Sequence, residues 1–178
     1  MKIASTVAVI AIGLALTTPA SAPSETARHY ASPSRIYLLA PGQRTLLPVT
    51  RTSPLVTPSG LLRALLAGPT AAEYRSGLRT AIPSTVGARV VRLSQRTAVV
   101  GLSGTMPSTK DTLTTIKRLS QIVFTLTQLP HVQRVSVLLN GHMWGVVDMH
   151  GKLIPVYSRS FFMRQGTICG DTGRCFSA

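Results

Sequence analysis

Residues 65–78 read Leu-Leu-Ala-Gly-Pro-Thr-Ala-Ala-Glu-Tyr-Arg-Ser-Gly-Leu, a run that leaves the backbone little choice. Thr57 is placed as an N-cap with Pro58 at the first helical position, so Leu61, Leu62, Leu65 and Leu66 fall on one face of a short helix. That helix must end at Gly68, which suits the left-handed residue past a helix terminus, and at Pro69, which has no N–H with which to continue. Thr70 and Glu73 then form a capping box, each satisfying a backbone donor the other leaves orphaned, and a second helical piece begins. Gly77 closes it, Leu78 is placed to fold back onto it, and Ile82-Pro83 forces the chain into extended conformation. The run encodes a sharp change of direction between two helical pieces.

The rest of the chain supplies strands for these helices to pack on. Residues 36–39 and 46–49 are apolar runs separated by Pro41-Gly42 and read as a hairpin, with Pro48 placing its second strand at an edge. Residues 86–93 and 97–102 read as a second hairpin. Ser108, three residues before Asp111, signals an N-terminus. Leu113, Ile116, Leu119, Ile122, Val123, Leu126 and Leu129 then recur at helical spacing until Pro130. Val135, Val137 and Leu139 mark a mostly buried strand, and Asn140-Gly141 turns it into residues 143–149. His150-Gly151 leads on to a last strand over 152–157. The predicted class is α+β: two helices packed on a mainly antiparallel sheet, in the order ββαββαβ plus a C-terminal hairpin. With 178 residues, 44% of them hydrophobic, one domain can bury its own core.

Several of these motifs resemble, in order, the GerMN domain of sporulation and spore germination proteins and of actinobacterial envelope lipoproteins. The matching residues are Leu65, Leu66, Gly68, Pro69, Glu73, Gly77, Leu78, Ile82 and Pro83, the strand 97–103, the helix 119–127, and the final strand and turn from Val132 to Gly141. The resemblance covers about residues 35–141 and implies the same α+β fold. It also implies a non-catalytic scaffold or interaction module of envelope and sporulation assemblies. In one place the chain departs: Gly101 stands where the family commonly carries an acidic residue.

The N-terminal residues indicate export. A basic start at Lys2, an apolar run over 3–16 and small residues at Ala20 and Ala22 have the form of a signal peptide, residues 1–22, cleaved after Ala20 or Ala22. The apolar run is shorter than the ~20 residues a spanning helix needs. Residues 23–34 read as a flexible leader, 35–141 as the GerMN-like domain and 142–178 as a C-terminal extension. In an exported chain Cys169 and Cys175 are expected to close a small disulfide loop; a redox-active pair is the alternative, but the spacing is not Cys-x-x-Cys.

Charge narrows the partners. With 19 Lys and Arg against 5 Asp and Glu, the net charge of +14 points to an anionic wall polymer or membrane headgroups, with an envelope protein as the other expected partner. Nucleic acid is disfavoured by the exported compartment and by an aromatic content of 5%. Glu73 and Asp111 are assigned to capping, and no nucleophile elbow, zinc-protease helix or phosphate loop is present, so no catalytic residues and no cofactor are expected. The alternative is an extracellular metal-dependent hydrolase built on His142, Asp148 and His150, which share strand parity if the strand is unbroken. The simpler reading is a set of solvent-facing polar residues on an edge hairpin. His29 and His131 read as leader and loop residues, and Trp144 as a core or interface plug.

Overall fold

A computed structural model describes residues 32–42, 45–53, 56–107 and 111–164. The signal-like segment, residues 23–31 of the expected leader and both cysteines lie outside the described residues.

The elements are β1 (Ser32–Leu39), β2 (Leu46–Ser53), α1 (Pro58–Leu66), α2 (Ala71–Arg75), β3 (Gly87–Ser94), β4 (Thr97–Ser103), α3 (Thr112–Leu126), β5 (Arg134–Leu139), β6 (His142–Met143) and α4 (Arg159–Arg164). This is an α+β fold with two sheets. β1 and β2 form an antiparallel ribbon, starting three residues before Arg35, and Pro48 sits in β2 opposite Tyr37. The second sheet has the order β3-β4-β5-β6. Its β3–β4 and β5–β6 pairs are antiparallel, but β4 and β5 run parallel because α3 carries the chain back between them as a crossover.

Both helical termini around Gly68 form as their residues dictate. Thr57 Oγ1 accepts the Gly60 amide at 3.1 Å, and Gly68 adopts φ +69°. The Thr70–Glu73 capping box is present, Gly77 has φ +93°, and the Leu78 amide reaches back to the Glu73 carbonyl at 3.0 Å. Ser108 lies outside the described residues, and the N-cap of α3 is Asp111. Its carboxylate accepts the Leu113 and Thr114 amides at 2.9 and 3.2 Å and the Thr114 hydroxyl at 2.7 Å, which fixes the first turn there.

The helix α3 lies at the centre of the molecule. Its apolar stripe packs with Leu61, Leu62 and Leu65 of α1, Val100 of β4 and Val135 and Val137 of β5 in one continuous core. From Arg118 to Leu126 every residue of α3 is buried, including those that give the helix a polar face in sequence. Those polar side chains hold neighbouring backbone. Gln121 accepts the Ala81 amide at 2.8 Å and donates to the Tyr37 carbonyl at 3.0 Å, while Thr125 Oγ1 accepts the Tyr37 amide at 3.1 Å. Arg118 donates to the Ala81 carbonyl at 3.0 Å.

The C-terminal hairpin expected over 143–157 is not formed as two strands. Only β6 and the single bridges Val147–Leu153 and Val135–Tyr157 pair there. The Tyr157 ring accounts for this, because its hydroxyl lies 1.9 Å from where a side chain on Gly145 would begin and accepts the Val146 amide at 2.9 Å. The Tyr157 hydroxyl thus takes the Val146 amide that a strand partner's carbonyl would otherwise accept. The chain then forms α4, whose Phe162 stacks on Tyr157 at 5.8 Å and joins Phe124 of α3 at 6.5 Å. Six residues are too few to show a helical period in sequence, and α4 was not expected. Among the described residues no helix is long and apolar enough to cross a membrane.

Candidate interaction surface

The motif residues of the opening run come together as one corner. Leu65 and Ile82 are buried in the core, with Leu66 and Leu78 packed against it. Gly68 and Gly77 make the turns, Pro69 separates the helices, and the Pro83 carbonyl accepts the Val86 amide at 3.1 Å. Arg51 of β2 clamps this corner: its guanidinium donates to both Glu73 oxygens at 2.6 Å, while one of them also accepts the Thr70 amide at 2.7 Å. These bonds, the Arg51 pair foremost, hold the Glu73 pKa down to about 2 against the opposing effect of burial. The corner is a structural device, and its carboxylate is fully engaged.

The other two acids of the described region are engaged too. Asp111 caps α3, and its pKa is lowered first by the Thr114 hydroxyl and then by the Leu113 amide. One Asp148 oxygen accepts the His150 and Lys152 amides, both at 2.9 Å, which makes it the organiser of the 148–152 turn. His142, Asp148 and His150 are not brought together: among the described residues no three His, Cys, Asp or Glu side chains converge to hold a metal. The parity argument fails because the strand is broken after Met143, so the hydrolase alternative has no site to stand on. Trp144 is half-buried against the core, and its amide donates to the Val137 carbonyl at 2.9 Å.

With these acids engaged, strand register gathers several exposed arginines on one side of the four-stranded sheet. Ala98, Val100, Leu102, Val135 and Val137 face the core. The opposite face carries cross-strand rows. Arg89, Gly101, Leu138 and Met143 form one, and Arg92, Val99 and Ser136 the next. Ser94, Thr97 and Arg134 form the third. Val91 is the bulged residue of β3, and its methyl lies 2.8 Å from where a Gly101 side chain would begin. Between Val91 and Leu138 is a hollow of about 530 Å³, lined also by Arg89, Ser103 and Asn140. The β3–β4 turn adds Arg96, held at φ +58°, whose carbonyl accepts the Gln133 and Arg134 amides at 2.8 and 3.1 Å.

This grouping is not legible along the sequence. Strand parity alone puts Gly101 with Val99; pairing register is what adds Arg89, Leu138 and Met143. A second cleft, of about 540 Å³, lies between β1, α3 and α4 beside Arg35 and Tyr37. There Arg159 is used in packing, donating to Thr127 Oγ1 and to the Phe124 carbonyl at 2.9 Å each.

Known proteins place this fold. The first GerMN domain of the sporulation protein GerM from Bacillus subtilis superposes with a TM-score of 0.52 at 21% identity, covering 72% of this chain and 98% of that one. The tandem GerMN domains of the same protein match with a TM-score of 0.51 at 19% identity, over 73% of this chain. This chain spans 47% of that tandem structure's length. A comparison with curated proteins finds no significant match. The family model Germane, described as sporulation and spore germination, matches residues 35–143, well over half of the chain. The chain therefore belongs to the Germane family, the family of the GerMN domain.

Proposed function

We propose that this protein is an exported, non-catalytic interaction module of the cell envelope, drawn to its partner by its basic surface. One observation carries the reading. The described region holds three acids, Glu73, Asp111 and Asp148, and each is bonded into a corner, a helix cap or a turn. Among the described residues the exposed arginines therefore face solvent without acidic neighbours of their own, and no acid, base or nucleophile there is left in an arrangement suited to catalysis. The signal-like N-terminus supports delivery to the envelope, and membership of a sporulation and germination family agrees with a place in envelope assemblies. The partner class is an envelope protein or an anionic wall polymer, with membrane headgroups as a peripheral contact.

Retention on isolated envelopes tests this reading. The chain is expected to sediment with them at low salt and to be released by about 0.5 M salt, where exposed charges are screened within a few Å. Absence of retention at low salt, or retention that persists undiminished in high salt, contradicts a charge-driven attachment.

A further inference from the structure

The outer face of the four-stranded sheet combines two properties that an ion-attracting surface alone does not need. It is basic, with Arg89, Arg92 and Arg134 in its rows, Arg96 at the adjoining turn and no acidic residue on any of its four strands. It also has an apolar floor: Val91 is 50% exposed and Met143 42%, with Val99, Gly101 and Leu138 partly open between them. The row from Arg89 to Met143 crosses four strands, about 14 Å at the usual spacing. Near its middle the Val91 methyl lies over Gly101, and the hollow opens between Val91 and Leu138.

We infer that this face docks an acidic amphipathic helix of a partner protein, with one large apolar side chain seated in the hollow between Val91 and Leu138. The inference rests on the interaction-module reading and names its surface and partner chemistry. A sheet face offers an incoming chain no free backbone hydrogen bonds, because its amides and carbonyls are consumed within the ladder. Its occupant must satisfy its own backbone, which a helix does. A helix about 10 Å across fits the width of the face, its apolar stripe meeting Val91, Leu138 and Met143 and its acidic flank meeting the arginines. An anionic polymer would satisfy the arginines but leave the apolar floor wet. The hollow is where an anchor side chain is concentrated in interfaces that depend on a few residues.

The test measures binding of the full chain to a synthetic helical peptide of about 16 residues, with leucine at helical spacing and glutamate on both flanks. A Lys-flanked peptide and a polyphosphate chain serve as comparisons. The Glu-flanked helix is expected to bind. Gly101→Leu, whose Cβ meets the Val91 methyl and so pushes that side chain and its own into the hollow, and Met143→Glu, which charges the exposed floor, are each expected to weaken it about tenfold. Reversing Arg63, Arg75 and Arg164, which lie on helices elsewhere, should change it less than about twofold. Because Met143→Glu alters an exposed side chain, it reads the face even where Gly101→Leu disturbs the fold.

The proposal is overturned if the Glu-flanked helix does not bind, or if its binding is indifferent to Met143→Glu. It is equally overturned if the distant charge reversals weaken binding as much as the face variants do, or if the Lys-flanked helix binds as well. Polyphosphate binding that ignores Gly101 and Met143, without helix binding, overturns it in favour of a polymer partner. Envelope retention that persists while the helix fails to bind leaves the broader module reading standing.

Discussion

Glu73 shows how one side chain can be fully committed to architecture. Its carboxylate completes a capping box and receives both Arg51 donors, with each side chain only 19% exposed. Folding lowers its pKa from about 4.5 to about 2, so the folded chain holds this proton less tightly than the unfolded chain does. The resulting stabilisation is complete above a pH of about 4.5 and is lost as pH falls through about 2. Glu73→Gln is expected to cost about 2 kcal/mol at neutral pH, since it removes the charge and leaves Arg51 half-buried without its partner. Urea unfolding at several pH values checks this: the variant's stability should also lose the wild-type slope in that acid window. A variant as stable as wild type at neutral pH, with the slope unchanged, would show that the pair contributes nothing to folding.

Helix α3 reads from sequence as amphipathic, with Arg118, Gln121 and Thr125 on its polar side, yet that side is buried against the β1 and 80–82 backbone. Gln121→Ala would remove a donor from the Tyr37 carbonyl and the acceptor of the Ala81 amide together, and is expected to cost about 2 kcal/mol, read as a lower urea midpoint. A loss under about 0.5 kcal/mol would mean that water takes over both bonds. The contrast with α1 and α2 is instructive. Their ends were legible because caps are local: Thr57, Gly68, Thr70, Glu73 and Gly77 act within a few residues of themselves. What sequence did not disclose depends on distant pairing. The burial of Gln121 requires knowing that β1 lies beside α3, and the parallel β4–β5 contact depends on where the crossover lands. The break after Met143 depends on a ring arriving from position 157. For the same reason the row Arg89-Gly101-Leu138-Met143 emerges only once three strand registers are known.

Taken whole, the molecule separates its two kinds of residue. Apolar side chains, the three acids of the described region and the arginines bonded to its frame, Arg51, Arg118 and Arg159, build the body, while the exposed arginines, with a net charge of +14 behind them, meet the surroundings. A surface of this kind finds partners over several Å through its field and fixes them by local fit, so a uniform cloud of charge would attract without choosing. The measurement that bears most directly on this account is photo-cross-linking in living cells from a probe at Met143, compared with a probe at Tyr74 on the far corner. The account predicts an adduct from Met143 with an envelope protein, through an acidic helical segment, that disappears when Arg89 and Arg134 are changed to Glu, and no such adduct from Tyr74. Equal adducts from both positions, adducts confined to cytoplasmic components, or a Met143 adduct indifferent to those charge reversals would contradict it.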